Sequence, residues 1–212
     1  MTIECWVKLE SLPSARAAGV QTNMVAKWEV NTDRRSYRLI GLQADNKPTF
    51  SCSSDGTQVN NNSLSANTAL STGAWTHLAV TYKASTATIT HYLNGVNDGS
   101  GVITNTAIHD NNSDLVIGAA NTLTAADEFY DGLIDEVRIW NVERTGAQIL
   151  ANYNKQLLGN ESGLVAYYKL NNDYVDSTAN AFTLTASGSP VFSTDVPFVG
   201  TGDATGLQGK YW

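Results

Sequence analysis

The stretch from Phe129 to Asn154, FYDGLIDEVRIWNVERTGAQILANYN, limits what this chain can fold into more than any other. In its first half Leu133, Val137 and Ile139 alternate with Ile134, Glu136 and Arg138, which is strand character. A polar knob, Asn141 to Thr145, follows. Ile149, Leu150 and Tyr153 then recur at helical spacing. The Thr145 hydroxyl can accept the free N–H groups of a first helical turn, so the spacing predicts a helix over Glu143 to Lys155. The rest of the chain carries strand signals. Ile3, Cys5, Val7 and Leu9 alternate with Glu4, Trp6 and Lys8, the pattern of a half-buried strand. Met24 to Val30, Ser36 to Gln43 and the TFSCSS that Pro48 opens read as further strands, and Asp55-Gly56 as a turn. Trp75 to Lys83 and Thr86 to Leu93 form a hairpin closed by Ala84-Ser85, and Asn94-Gly95 makes a second tight turn. Val165 to Leu170 and Phe182 to Thr185 read as late strands. Strands divided by turns, with one short helix and no βαβ alternation, predict an all-β fold of two antiparallel sheets packed face to face.

At 212 residues this is one domain, over 1–200, followed by a glycine-spaced tail at 201–212. The chain has 13 basic and 20 acidic residues, a net charge of −7. Nucleic-acid binding draws most of its affinity from a basic footprint, so that class is set aside, and anionic membranes are disfavoured. No apolar run is long enough to insert into a bilayer. MTIECWV has neither the charged start nor the apolar centre of a signal peptide. The expected location is extracellular or at the cell surface, with a virion as the alternative. Cys5 and Cys52 are the two cysteines, and the sequence leaves open whether they pair or stay as buried thiols.

Gly-x-Ile-Asp-Glu-Val-Arg-Ile-Trp-Asn, followed by a short helix ending at Tyr153, resembles the laminin-G-like, pentraxin-like branch of the concanavalin A-like jelly rolls. TIECWVKLESLP at Thr2 to Pro13 is similar to that family's early strand. GAWTHLAVTYKASTATITHYLNGV at Gly73 to Val96 is similar to its central hairpin, and GLVAYYKLNN with VDSTANAFTLTASGSP to its closing segment. The resemblance covers Thr2 to about Phe198. It implies a curved jelly-roll sandwich with a concave and a convex sheet, and it places Trp6, Trp75 and Trp140 in the core. The pentraxin disulfide is missing, because His77 to Tyr82 holds no cysteine. In this family an outer strand, Ala-Leu-x-Phe-x-Gly-x-x-x-Tyr-Val, precedes the TIECWVKL-like strand, and this chain starts after it. The tail Gly206 to Trp212 has a faintly similar pattern. It is expected to fill the vacancy in its own domain, to add to a neighbour's sheet edge in a homo-oligomer or tandem array, or to remain an unordered linker.

Catalysis is not expected. Glycoside hydrolases of this fold carry Glu-x-Asp-x-x-Glu on one strand, and no such spacing occurs. Asp127-Glu128 and Asp135-Glu136 are adjacent pairs, and neighbours on a strand point to opposite faces. His77, His91 and His109 have no nucleophile or metal spacing and read as sheet-surface or loop residues. The pentraxin calcium run is absent after Ile117-Gly118. A second family precedent, the Asp of an x-Asp-x-Val-Arg-x strand, puts one structural Ca2+ at Asp135, against the alternative that Asp135 pairs with Arg138 or a backbone amide. Asp110, Asn112 and Asp114 read as a solvated turn.

A sugar or peptide ligand would need aromatic and hydrogen-bonding groups on the concave face or a rim, and the candidates are Trp28, Arg35, Tyr37 and Tyr130. Alternation leaves the faces of Trp28 and Tyr37 undecided, and the tip Asp33 to Arg35 also reads as a solvated turn. Two function classes follow. The first is a non-catalytic carbohydrate-binding or adhesion module whose partner is a glycan or a surface protein. The second is a structural protein, such as a phage head-decoration or tail component. A pentraxin-like oligomeric ligand binder is a third reading.

Overall fold

In the computed structural model, residues 1–16, 21–29, 32–41, 44–120 and 128–198 are described, together with the backbone of 206–209. The strands are β1 (Thr2–Leu9), β2 (Thr22–Glu29), β3 (Arg34–Gly41), β4 (Pro48–Ser53), β5 (Asn61–Ser65), β6 (Thr76–Lys83), β7 (Thr88–Leu93), β8 (Val96–Val102), β9 (Val116–Ile117) and β10 (Gly132–Trp140). The helix α1 (Gly146–Asn152) precedes β11 (Leu164–Tyr168), β12 (Val191–Ser193) and β13 (Gly206–Gly209). The larger sheet runs β12-β13-β10-β1-β6-β7-β8, with β11 also paired to β10, and the smaller runs β5-β4-β3-β2-β9. Together they form the two-sheet antiparallel sandwich that the sequence predicts. No helix among the described residues is long and apolar enough to cross a membrane.

The core lies between the sheets. Ile3, Cys5, Val7 and Leu9 of β1, with Leu78, Val80 and Tyr82 of β6, join Met24, Val25, Leu39, Phe50 and Cys52 of the smaller sheet in one buried cluster. Phe50 and Tyr82 stack across it at 6.3 Å. Both cysteines are buried free thiols, and burial pushes the Cys5 thiol up to about 12.

Several expectations change in the details. Thr145 does cap the helix. Its hydroxyl accepts the Gln148 N–H while the Gln148 side chain accepts the Thr145 N–H, a reciprocal box that starts the helix at Gly146 rather than Glu143. The central hairpin closes through a 3-10 turn, Ala84–Thr86, with Ala87 at φ 49°, rather than a two-residue loop. Phe182 to Thr185 is not a strand. It is an irregular segment tied down where the Phe182 N–H reaches Asp176 and the Leu184 N–H reaches the Tyr174 carbonyl. Trp75 is half-buried at the sheet margin rather than in the core, and its indole N–H donates to Asp195 at 2.9 Å. The tail strand β13 pairs with β10 from Gly132 to Ile134 and with β12, so this part of the tail joins the sheet of its own chain.

The larger surprise is β1 and β10, which are buried on both faces. A bulge lies between them: Glu4 faces Arg138, but Trp6 faces Asp135. Glu136 takes the extra position at φ 53°, a conformation that costs a non-glycine residue about 1–2 kcal/mol. On the outer side of the larger sheet, Glu4 reaches Arg144 at 2.6 Å, Arg138 at 3.8 Å and His77 at 3.4 Å. The last is an electrostatic approach rather than a well-formed hydrogen bond. Glu136 reaches Arg138 at 2.6 Å and accepts the Tyr167 hydroxyl. Arg138 also donates to the carbonyls of Asn152 and Lys155, and Trp6 to that of Tyr153. Two carboxylates thus face two guanidiniums beneath α1 and the residues after it. A buried charge survives only with such partners.

His77 and His91 are therefore interior residues, not surface ones, each 1 % exposed. Burial holds His77 below its usual range, even though Glu4 pulls the other way. Burial likewise holds His91 down to about 4, its Nε2 meeting the Leu64 carbonyl at 2.9 Å. Burial pushes the Glu4 carboxyl up, but His77, Arg138 and Arg144 more than reverse this and leave it at about 2. All three groups take up protons in the unfolded chain at a higher pH than in the folded one, so acid favours unfolding. The melting temperature should fall as pH drops from 6.5 towards 4, through the histidines, and further below 4.5, through Glu4. His91→Gln should flatten the upper part of that profile in calorimetry. A profile flat from pH 7 to 4 would contradict the burial of both rings.

Candidate functional site

Alternation along β3 sends Tyr37 and Leu39 inward against the core and leaves Ser36, Arg38 and Ile40 on the outer face of the smaller sheet. The register extends this face across the strands. Ala26, Arg38, Ser51 and Ser63 form one row, and Asn23, Ile40, Thr49 and Ser65 the next. Thr49 and Ser65 share a hydroxyl contact at 2.8 Å. Trp28 belongs to neither apolar cluster. The Arg38 guanidinium lies over its ring at 4.4 Å, a cation–π contact. The Asn23 amide donates to the Glu128 carbonyl at 3.2 Å and to its carboxylate at 3.1 Å. The result is a polar double row with one guanidinium beside one indole; Asn23, Trp28, Thr49 and Ser51 are buried in it, and Ser63 and Ser65 reach the surface at its margin.

Arg38 is 7 % exposed. Its ion pair with Glu128 is 3.9 Å long, and its Nε has no hydrogen-bond partner. Burial lowers its pKa to about 10, with Glu128 partly offsetting this and Arg35 adding to it.

The four ligand residues expected from the sequence do not converge. Trp28 lies on the face, buried beneath Arg38. The tip is a turn with Asp33 and Arg34 exposed, but Arg35, at the start of β3, is buried, its Nη1 donating to Asp33 at 2.9 Å and to the Gly56 carbonyl at 3.3 Å. Tyr37 packs inward, and Tyr130 is a wholly buried core residue. Arg38 and Asn23 went unnoticed in the sequence. The signal for Arg38 was the two-residue period that opposes it to Tyr37 and Leu39.

At the position expected to hold calcium, Asp135 has one carboxylate oxygen engaged by the backbone. It is buried at the β10 bulge, and its Oδ1 accepts the Glu136 N–H at 2.8 Å. Ca2+ takes six to eight oxygens. Among the described residues no group of three or more His, Cys, Asp or Glu side chains gathers to hold a metal. Asp135 caps the bulge through a backbone amide. In the 110–114 loop, Asn111 and Ser113 fold back on the Arg34 carbonyl, and Lys27 donates to the carbonyls of both.

Two hollows lie elsewhere. A cleft of about 410 Å³ is lined by apolar groups including Met1, Tyr82, Ile139 and Trp140. A groove of about 780 Å³ runs between β9 and the 182–190 segment, with Phe129, Tyr174 and Phe182 in its walls.

A family model described as the concanavalin A-like lectin/glucanases superfamily matches residues 1–150. Among solved structures, the chain is similar to a candidate carbohydrate binding protein from Bacteroides ovatus, at 19% identity and a TM-score of 0.61, over 98% of this chain and 50% of that one. It is also similar to domain 4 of AbnA, an extracellular arabinanase from Geobacillus stearothermophilus, in complex with arabinotriose, at 22% identity and TM-score 0.51, over 72% and 66% of the two chains. A third similarity is to the CBM40 of a Ruminococcus gnavus sialidase bound to α2,3-sialyllactose, at 14% identity and TM-score 0.54, over 72% and 82%. This chain spans half the length of the Bacteroides ovatus protein. At such identities the likeness is one of fold. No curated protein matches.

Proposed function

We propose that this chain, which belongs to the concanavalin A-like lectin/glucanase superfamily, is a non-catalytic carbohydrate-binding module of an extracellular or cell-surface protein, and that the outer face of its smaller sheet holds the sugar. The observation that carries this reading is the exposed Ser63 and half-buried Ser65 at the margin of a polar double row in which Asn23, Thr49 and Ser51 lie buried around Arg38. Sugars present rings of hydroxyls, and fixed hydroxyl, amide and guanidinium groups on a rigid sheet match them with little loss of side-chain freedom. The similar proteins named above point the same way, one being a candidate carbohydrate binding protein and another a sialidase module bound to a sugar.

The test is a glycan array with the whole chain, repeated with Ser63→Trp. Ser63 is exposed on the proposed face, so an indole there blocks it without disturbing the core. We expect binding to at least one oligosaccharide, at least tenfold weaker in the variant at an unchanged melting temperature. Chelation should change neither binding nor melting, and no reducing sugar should be released from the ligand. Binding that ignores Ser63→Trp would place the sugar elsewhere, and the groove beside β9 would become the site to test.

A further inference from the structure

The Nε of Arg38 is buried without a hydrogen-bond partner. Of the other two arginines of β3, the buried Arg35 has Asp33 within hydrogen-bond length at 2.9 Å, and Arg34, 3.6 Å from Glu29, has its side chain half in solvent. Arg38 is buried more deeply than Arg34. It has Glu128 at 3.9 Å, beyond hydrogen-bond length, and a buried Nε with no acceptor. Glu128 is itself engaged with the Asn23 amide. Trp28 covers a flat side of the guanidinium and so directs any further partner to its edge, where the N–H groups point. A buried charged donor without acceptors is costly unless something fills the gap, and a guanidinium edge matches the two oxygens of a carboxylate.

We infer that the sugar held on this face carries a carboxylate, as a uronic or sialic acid does, and that Arg38 receives it edge-on in the place that Glu128 holds loosely in the free protein. This rests on the carbohydrate-binding reading and adds the class of sugar. It also gives Glu128 a role. In the free protein Glu128 is a loose counter-ion, 21 % exposed at its side chain, and it competes with the ligand for Arg38. The chain's net charge of −7 does not decide the matter, because charges further away than about 10 Å are screened at ordinary salt.

Calorimetric titration of the whole chain tests this with four ligands: trigalacturonate, its methyl ester, sialyllactose and lactose. We expect at least one acid to bind about tenfold or more tighter than its neutral counterpart, as a charge-assisted pair should. Arg38→Lys keeps the charge but not the fork, and should remove most of that advantage. Glu128→Gln should tighten the acidic ligand. A neutral ligand bound as tightly as its acid would overturn the inference and leave the carbohydrate-binding reading standing. So would an acid preference that survives Arg38→Lys, or a weakening by Glu128→Gln. A chain that binds no saccharide on the array would overturn both. The comparison of acid with ester uses the native chain, so it decides the question even if a variant fails to fold.

Discussion

Replacing Arg138 with alanine should cost about 3–5 kcal/mol of folding stability, the penalty for removing one partner from a buried charge group. For a domain of this size that is a drop in melting temperature of roughly 10 °C or more. The reason is the number of groups that Arg138 satisfies. It is fully buried, bridges Glu136 and Glu4, and holds the carbonyls of Asn152 and Lys155 at the end of α1. Its loss would leave Glu4 with Arg144 and a neutral His77, and Glu136 without its guanidinium partner. Glu136→Gln added to Arg138→Ala should recover part of the loss, because it removes one of the stranded charges. Thermal melts of the single and double variants check this. A single variant within 1 kcal/mol of the parent, or a double variant that is simply additive, would show that the cluster is not energetically connected.

Deleting residues 201–212 should have the next largest effect. β13 fills the edge of β10 at Gly132 to Ile134 and is the strand on which β12 rests. Its removal breaks a short ladder of backbone bonds, each worth about 0.5–1.5 kcal/mol net, so a loss of about 2–4 kcal/mol is expected. The bared edge should also promote association. The truncated chain should therefore melt lower and grow in light scattering, while the parent does not. Equal melting with unchanged particle size would show that the β13 pairing contributes nothing in solution.

The sheets were largely legible because strand signals are local. Alternation in TIECWVKL, the Asn94-Gly95 turn and the run of the 129–154 stretch each depend on neighbours a few residues away. The limits lie where a residue's fate depends on a distant partner. Glu4 sits at a position that alternation assigns to solvent, yet it is buried because Arg144 and Arg138 arrive from the far end of the chain. His77 and His91 misled for the same reason. Asp135 matched a calcium precedent by position. The bulge whose amide engages one of its oxygens comes from the register between β1 and β10, which neither strand shows alone. On the candidate face, period two was enough to separate Arg38 from Tyr37. The sequence could not show that Arg38 would be buried with an unfilled Nε, because that depends on Trp28 and Glu128 meeting it across β2 and the chain before β10.

The cluster under α1 also sets where this domain can be cut. Glu4 lies four residues from the start of the chain, yet its partners lie 73 to 140 residues further on. Glu136 accepts from Tyr167, and Arg138 from β10 donates to Lys155. The residues matched by the family model end at 150, short of three of these anchors, Asn152, Lys155 and Tyr167. A polypeptide stopped there would lack the core residues Ala166, Tyr168 and Leu170 and would strand ions on its outer side. The unit of folding is therefore longer than the stretch that the family model matches, and a shortened version should be cut after Tyr168 at the earliest.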